Sequence, residues 1–364
     1  MQANDVVFYS PFQRFSNIDD MLIYIRSKFF LKKECVQINL DNCTIQRMEK
    51  LSHESTIEDV KSLGLYPLYT ILNESPNIFL CPFGIHEMPG INISKARESY
   101  ELFCKKFWPT HIDDPRATSL KYDKNQTTVD FQHLSEEEKY VYGPWYLAYL
   151  LIQKITRCNK NDSAVDKFSR YIHDVIYYLD MISAFELEIA KYAFWDIPEK
   201  ELHNLPSEII CRRKNFKKNF ISSGKNLERI KRICLNAAMD TLWLKGCQAK
   251  SALDAPEDLD NGYKLTETWL ATTDEKLYKS SNDIESIPTK NGFGYFVKVL
   301  REEEMKKYEY WNIVDSISDG ILIQRFIQRF LSNKNNFSSK MNNISNSINE
   351  IEGELKEYFD AIPA

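Results

Sequence analysis

Glycine is scarce in this chain, with 11 among 364 residues, about half the usual share. Because tight turns depend on glycine, this scarcity disfavours turn-dense all-β architectures. The chain also has no GxxxxGK[ST] loop and no GxGxxG loop, which disfavours enzymes of nucleoside triphosphates and dinucleotides. A helix-rich α/β protein is the fold class that remains favoured.

The eight cysteines show no CxxC pair, no regular framework and no Cys/His spacing typical of structural zinc. In a chain of this length they indicate reduced thiols. The start, MQANDVVFYSPFQRF, lacks a basic segment followed by an apolar one, and no uncharged apolar run approaches the roughly 20 residues of a membrane span. We therefore expect a cytoplasmic protein with no membrane partner.

The formal net charge is −5, which argues against a protein that coats nucleic acid. A local basic groove is still compatible with this charge, because the field at a site depends on how charges are distributed. The chain is 43% hydrophobic, enough for a sizeable core, and its length suits two domains or one domain with a large insertion.

The hydrophobic pattern changes along the chain and predicts five segments. Apolar runs at 36–40 and 78–81 predict strands, and they alternate with helices capped by Thr56 with Asp59 and by Ser94. A later region has only helical spacing, including one long helix with apolar positions from Val165 to Ile189. The segments are an N-terminal helical element (1–34), the first half of an α/β domain (35–123), a helical insertion (124–225), the second half of the domain (226–290) and a C-terminal helical region (291–364).

The end of the chain carries apolar residues at alternating spacings of three and four, from Met341 to Ile362. This heptad seam predicts an amphipathic helix whose apolar stripe must be covered. Two covers are open: the chain's own core, or a second copy or protein partner. Gly353 within the seam weakens a free-standing coiled coil and favours docking on a surface.

Four acidic residues follow strand-like runs or lie in a helical stretch. Asp41 closes VQINL, Glu87 follows IFLCPFGI, Asp274 follows WLATT, and Asp240 lies in the helical LNAAMDTLWLKGC. Carboxylates gathered at the carboxyl ends of parallel strands can hold hard divalent cations, which prefer oxygen ligands. The alternative interpretation is that each acid caps a helix or a turn after its strand.

These acids, with Asn42 beside Asp41 and Thr272 before Asp274, resemble the PIN-domain nuclease superfamily. The resemblance covers roughly 35–123 and 226–290. It implies a PIN-like parallel sheet flanked by helices, and hydrolysis of phosphodiester bonds with Mg²⁺ or Mn²⁺, more often in RNA than in DNA. It also implies a setting such as a bacterial toxin or an anti-phage effector.

The resemblance makes all four acids both metal ligands and catalytic residues. A long stretch separates Glu87 from Asp240, so other acids compete with Asp240 for the third position, and Asn236 could add a polar ligand. The competitors are Asp254, Asp258 and Asp260.

The stretch from Arg212 to Arg232 holds nine Lys or Arg residues against one acid, Glu228. Phe216 and Phe220 interleave with the cations, which would give base-stacking surfaces beside phosphate contacts. A solvated charged face is the other interpretation. The residues predicted to bind nucleic acid are Arg212, Arg213, Lys214, Lys217, Lys218 and Lys225.

Two other functions stay open on the sequence. A PIN-like protein could bind nucleic acid or a protein without cutting anything, because acids alone do not guarantee a productive geometry. The His173–Asp174 pair, with His133 and Asp180 nearby, is the pattern of an HD-type phosphohydrolase, or simply of polar residues on a helix surface.

Overall fold

The chain forms two compact units in a computed structural model. The first comprises Met1–Val129, Trp243–Ser281 and Glu285–Lys298, and the second comprises Asp130–Leu242, Asn282–Ile284 and Val299–Ala364. The structure describes residues 4–110, 124–179, 184–222, 224–252, 257–258, 262–274, 277–278, 284–288, 295–299, 301–331 and 337–361.

A mixed β-sheet lies at the centre of the first unit. Its strands are β1 (Val7–Tyr9), β2 (Glu34–Leu40), β3 (Ile78–Cys81), β4 (Glu257–Asp258) and β5 (Lys264–Thr272). The order is β1-β5-β2-β3, with the short β4 also paired to β5. β2 runs parallel to β3 and β5, whereas β1 is antiparallel to β5. The α/β class is confirmed, but the sheet is mixed, because the unpredicted β1 enters from the N-terminal segment.

Two further strands, β6 (Ile284–Pro288) and β7 (Tyr295–Val299), form a separate two-stranded sheet. β7 lies at the start of the region 291–364, which the sequence predicts to be a C-terminal helical region, and the helices of that region follow it.

Helices pack on the sheet of the first unit, and the strand residues Val36, Ile38 and Leu40 are completely buried beneath them. Neighbouring positions of β2 are buried as well, which is typical of a strand that is covered on both faces of the sheet. A π-helical turn (Lys28–Lys32) and a 3₁₀ segment (Phe83–Glu87) follow α1 and β3. The helices are α1 (Ile18–Ser27), α2 (Asn42–Met48), α3 (Ile57–Ser62), α4 (Tyr66–Glu74) and α5 (Gly90–Phe107).

Of the two helix caps predicted in the first unit, one is present in the structure. Thr56 and Asp59 form the predicted capping box of α3. The prediction that Ser94 caps α5 was wrong, because the helix begins at Gly90 directly after the extended Pro89. Proline has no side-chain acceptor for the first N–H groups of a helix, and the Ile91 N–H donates instead to the Gln126 carbonyl at 3.2 Å.

The second unit is helical. Ser135 and Glu138 form the predicted capping box of α6. Where one long helix was predicted between 165 and 189, the structure describes α7 and α8, and residues 180–183 lie outside the described part. The helices are α6 (Glu136–Cys158), α7 (Ala164–Leu179), α8 (Ala184–Phe194), α9 (Glu199–Leu202), α10 (Ser207–Phe220), α11 (Leu227–Ala252, which runs across the boundary between the units), α12 (Glu303–Lys306), α13 (Glu309–Leu331) and α14 (Phe337–Asp360).

The C-terminal helix α14 packs against α6 and α7 of its own chain. Four residues of the predicted seam are buried there: Ile344, Ile348, Ile351 and Leu355. A polar contact accompanies this apolar packing of α14 on α6, because the Tyr146 hydroxyl donates to Glu352 at 2.7 Å. The stripe is therefore covered by the chain itself, which is one of the two covers left open by the sequence, and this face is not available to a partner.

Within the described part of the chain, no helix combines the length and the apolar character that crossing a bilayer requires.

Candidate functional site

Three of the four predicted acids lie at one edge of the sheet. Because β2, β3 and β5 are parallel, their carboxyl ends meet at the same edge. Asp41 follows β2 directly, Asp274 lies two residues after the end of β5, and Glu87 ends the 3₁₀ segment that follows β3. Ligands bind at this edge in open α/β sheets, so this edge is the candidate site.

Asp41 is a buried carboxylate tied to the end of β5. Its Oδ2 accepts hydrogen bonds from Thr272 Oγ1 at 2.6 Å and from Cys43 Sγ at 2.7 Å. Its main-chain N–H donates to the Ala271 carbonyl at 3.0 Å, which continues the pairing of β2 with β5 beyond the strand. Asp41 occupies the N-cap position of α2 but makes no side-chain capping bond. Its side chain is thus used at the sheet edge rather than as a helix cap.

Asp274 is held by its own turn. Its Oδ1 accepts from the Leu277 N–H at 3.3 Å, and its N–H donates to Thr272 Oγ1 at 3.0 Å. The first of these bonds is the turn-capping role that the sequence left as the alternative. Thr272 links the two acids, because the same hydroxyl that accepts from the Asp274 main chain donates to Asp41.

The electrostatics of the site make the charged form of the Asp41 carboxyl unfavourable. Burial raises the pKa of the Asp41 carboxyl above its ordinary value, and the charge of Asp274 raises it further, against the lowering effect of the Cys43 and Thr272 hydrogen bonds. Burial and the charge of Asp41 raise the pKa of the Cys43 thiol to about 12. Cys43 therefore stays protonated and acts as a hydrogen-bond donor, not as a nucleophile.

A close backbone contact brings the 3₁₀ segment against the start of α2. A Cβ on Gly84 would lie 2.2 Å from the Asn42 nitrogen and 2.5 Å from the Asp41 carbonyl carbon. Only glycine allows this approach, so the segment after β3 packs directly on the backbone that carries Asp41.

Glu87 is engaged by an aromatic cluster. Its Oε1 accepts a hydrogen bond from the Trp243 indole N–H. The Phe83 ring meets Trp243 edge-on at 4.4 Å and stacks on His86 at 4.7 Å. Burial, together with the charge of Arg97, lowers the pKa of His86 to about 4, so this imidazole is neutral at physiological pH.

Asn42 supplies an unsatisfied oxygen beside Asp41. Its side-chain Oδ1 is buried and has no hydrogen-bond partner. Buried oxygens without a donor are uncommon, and one on the residue that follows Asp41 is a candidate ligand for a hard cation. Among the residues that the structure describes, however, no three His, Cys, Asp or Glu side chains lie close enough together to hold a metal ion.

The fourth predicted acid, Asp240, is assigned to the second unit. It lies on α11 and is partly buried there, and its charge acts on the buried Tyr149 of the same unit. The neighbouring Thr241 hydroxyl is hydrogen-bonded to the Tyr149 hydroxyl. Of its three competitors, Asp254 and Asp260 lie outside the described residues, and only the backbone of Asp258 is described, in β4.

The basic stretch does not present the predicted stacking surface. Phe216 and Phe220 are only 1% and 2% exposed, and Phe216 stacks on Tyr192 at 4.5 Å. The prediction that these rings stack on bases was wrong, because α10 turns both toward the core of the second unit.

Arg212 and Arg213 of this stretch make contacts with other residues of the second unit. Arg212 forms an ion pair with Glu302 at 2.6 Å, and Arg213 donates to the Trp195 carbonyl at 3.3 Å. Burial and the nearby Arg213 lower the pKa of Lys217 to about 8, so this lysine is charged only in part at slightly alkaline pH. The exposed cations of the stretch are Lys214, Lys218, Lys225, Arg229 and Arg232.

The histidines of the HD-type alternative form only local pairs. His173 is largely exposed and lies 3.3 Å from Asp174, and His133 lies 3.6 Å from Asp130. Asp180 is outside the described residues. Pairs of this kind are ordinary on a polar helix surface or in a turn, so neither pair indicates an HD-type site.

Comparison of the chain with family models, with curated proteins and with solved structures found no match. The assignment of residues to the candidate site therefore rests on the geometry of the structure. Sequence reasoning identified Asp41, Glu87 and Thr272 with Asp274, but it missed Cys43, Gly84 and Trp243. Gly84 and Trp243 owe their roles to contacts made only in the fold. Cys43 lies two residues after Asp41, but that spacing alone does not indicate a hydrogen bond.

Proposed function

We propose that the chain is a cytoplasmic, divalent-metal-dependent nuclease whose first unit is PIN-like. Asp41 and Asp274 are the central metal ligands of this proposal, with the Asn42 oxygen as a third donor. Glu87 and Asp240 stay ligands predicted by the sequence alone. The preference for RNA over DNA, and the setting of a toxin or an anti-phage effector, rest on the family resemblance.

The observation that carries the proposal is the buried Asp41 carboxylate, which lies within the field of Asp274 and beside the unpartnered Asn42 oxygen. Like charges and a buried unsatisfied oxygen are each unfavourable alone, and a bound cation relieves both. All three donors are oxygens, which suits Mg²⁺ or Mn²⁺ better than softer metals.

A bound Mg²⁺ or Mn²⁺ would lower the pKa of its water and neutralise charge that develops on the phosphate. The chain's own residues orient this centre. Thr272 and Cys43 fix one oxygen of Asp41. The close approach at Gly84 packs the 3₁₀ segment on the backbone of Asp41 and Asn42.

Cleavage of labelled RNA and DNA, with and without Mg²⁺ or Mn²⁺, tests the activity. Asp41→Asn and Asp274→Asn should each abolish cleavage, and EDTA should abolish cleavage by the unaltered protein. Asp319→Asn is the matched control, because Asp319 is an exposed acid on α13 of the second unit. Cleavage that survives both Asp41→Asn and EDTA would rule out the proposal.

Thermal melting gives a readout that does not depend on activity. Mn²⁺ should raise the melting temperature of the unaltered protein, because a ligand that binds only the folded state stabilises it. Asp41→Asn should lose this rise. Without metal the same substitution should leave the melting temperature unchanged or higher, since it removes a buried charge while its amide oxygen still accepts from Thr272 and Cys43.

A second function, binding without cleavage, is favoured by a specific observation. One oxygen of Asp41 is already satisfied by two protein donors, an arrangement that is stable without metal. If the chain only binds RNA, fluorescence anisotropy should detect binding while no substrate is cut.

The exposed lysines test either kind of RNA binding. Replacing Lys214, Lys218 and Lys225 together with alanine should weaken binding and reduce the slope of log affinity against log salt by about one for each phosphate that is no longer bound. An unchanged slope would show that the basic stretch is a solvated face.

A further inference from the structure

The end of α1 presents a group of large apolar side chains to solvent. Ile23, Phe30 and Leu31 are 66%, 69% and 80% exposed. We call these three residues the α1 tip. Isolated exposed apolar residues are ordinary, but Phe30 and Leu31 are adjacent in the chain and Ile23 lies on the helix that leads into them, so one short segment carries three of them.

The α1 tip projects from a rigid base. Residues Lys28–Lys32 form a π-helical turn, an uncommon geometry that is often found at functional sites. The Lys28 side chain is turned inward, where it pairs with Glu34 at 2.6 Å and Glu267 at 2.8 Å. The Phe29 ring stacks on Tyr263 at 4.7 Å. The inward anchors hold the turn in place, so the outward direction of Phe30 and Leu31 is built into the fold.

The rim of the tip is cationic. Lys32 and Lys33 follow Leu31 directly, and both are exposed. Glu34 and Glu267 are already paired with Lys28. The exposed acids of α1, Asp19 and Asp20, lie in its first turn, close to Ile23 and at the other end of the helix from Lys32 and Lys33. The positive charge of the tip is therefore concentrated beside Phe30 and Leu31.

We propose that the α1 tip inserts into the surface of an anionic lipid membrane. Phe30, Leu31 and Ile23 enter the boundary between headgroups and acyl chains, and Lys32 and Lys33 contact the lipid phosphates and carboxylates. A symmetric pairing of two copies through the tip would bring these lysines against each other, so the cationic rim disfavours a second copy as the occupant. The cytoplasmic leaflet is the anionic one, which agrees with the predicted location of the chain.

The position of the tip leaves the candidate site open. The π-helical turn leads into the amino end of β2, whereas Asp41 follows the carboxyl end of the same strand. The tip and the candidate site are thus at opposite ends of one strand of the first unit, and the inference does not depend on the proposed nuclease activity. The sequence argued against a membrane partner on the length of its apolar runs, a criterion that addresses spanning segments and not surface contact.

Co-sedimentation of the full chain with vesicles tests the proposal. The protein should pellet with vesicles of phosphatidylcholine containing phosphatidylserine, and it should stay in the supernatant with phosphatidylcholine alone. The double variant Phe30→Ser/Leu31→Ser should reduce binding about tenfold or more, because two inserted side chains are removed. Lys32→Glu/Lys33→Glu should reduce binding to the anionic vesicles to a similar degree.

Two controls separate insertion from general adhesion. Ile323→Ser removes an apolar residue of comparable exposure, 62%, on α13 of the second unit, and should bind as the unaltered protein does. Leu31→Trp should show a blue shift of its fluorescence when anionic vesicles are added. Because all the substituted side chains are exposed, every variant should keep its melting temperature.

Three results would overturn the proposal: no binding of the unaltered protein to anionic vesicles, equal loss in Ile323→Ser, or undiminished binding in the Phe30→Ser/Leu31→Ser variant. Light scattering that shows a dimer, dissociated by Phe30→Ser/Leu31→Ser, would instead assign the tip to a second copy. Capture of an acidic protein partner with no vesicle binding would assign it to that partner.

Discussion

At the scale of single residues, the candidate site depends on Thr272. Its side chain is completely buried, and its hydroxyl both donates to Asp41 and accepts from the Asp274 main chain. These two bonds join the end of β2 to the turn after β5. A residue of the same shape without the hydroxyl would break both of them, so threonine is required here for its chemistry and not for its volume.

We expect Thr272→Val to destabilise the protein by about 1–3 kcal/mol, because the Asp41 carboxylate loses a donor and the Asp274 N–H loses its acceptor. Urea unfolding measures this. Thr272→Ser keeps the hydroxyl and loses only a methyl group, so it should cost less, about 1 kcal/mol. If valine proved no worse than serine, the two bonds would contribute nothing to stability.

His86 makes stability depend on pH. Its pKa in the folded protein is about 4, below the ordinary value of 6.5, so between these values the unfolded chain holds a proton that the folded protein does not. Stability should therefore fall as the pH is lowered from about 6.5 toward 4, by an amount on the order of 2 kcal/mol after allowance for partial exposure.

Urea unfolding of the unaltered protein and of His86→Gln, measured across this range of pH, checks the expectation. The variant lacks the titrating group, so its loss of stability on acidification should be smaller by that amount. Parallel losses in the two proteins would assign the acid sensitivity to other groups.

The sequence could predict residues whose role is local. An acid that follows an apolar run indicates a strand end, and Asp41 and Asp274 lie just after β2 and β5. Glu87 lies farther from its strand, at the end of the 3₁₀ segment that follows β3. The sequence could not predict the Trp243 bond to Glu87, because the two residues meet only in the fold. It could not predict the Cys43 donor either, because an Asp followed two residues later by a Cys marks no particular structure. The same limit explains the error at Phe216, since a basic helix can still turn its aromatic residues to the core.

At the scale of elements, the site is assembled by the contact between the 3₁₀ segment and the start of α2. Both follow adjacent parallel strands, so the strand pairing brings them together. The contact is between backbones, which cannot move aside as a side chain can. This contact requires a residue without a Cβ at position 84, which is why Gly84 is needed there.

We expect Gly84→Ala to destabilise the first unit by about 2 kcal/mol or more, because its Cβ would overlap the backbone of Asp41 and Asn42. Chemical unfolding measures the loss, and the proposed cleavage should fall with it. Gly353→Ala is the matched control: its Cβ meets nothing within 4 Å, and alanine in this helix should stabilise by roughly 0.5–1 kcal/mol. A Gly84→Ala protein as stable as Gly353→Ala would mean that the two segments do not touch.

The predicted elements succeeded where the signal was strong and local. The run at 78–81 is strand β3, and both predicted capping boxes are present. β1 was missed because three residues carry too little periodicity to predict a strand, and its antiparallel pairing is a property of the fold. The PIN-like topology and the insertion stay predictions.

At the scale of the whole molecule, the second unit combines an ionic network with a helical cover. Arg301 makes two parallel bonds to Glu188 at 2.7 and 2.9 Å and contacts Asp315 at 2.9 Å, and Lys191 pairs with Asp315 at 2.7 Å. Two acids and two bases balance, so the buried charges are compensated. The network connects α8 to α13, and α14 packs on α6 and α7.

The packing of α14 on the second unit depends on buried residues such as Ile351. Ile351 is completely buried on the face of α14 that packs on α6 and α7. Replacing it with alanine removes buried methyl groups and leaves a cavity, so Ile351→Ala should cost about 2–5 kcal/mol and lower the melting temperature. Ser345→Ala, at an exposed position of the same helix, should change stability by less than about 0.5 kcal/mol. Light scattering should show the same mass for both variants. A dimer that dissociates in Ile351→Ala with no loss of stability would show instead that the seam joins two chains.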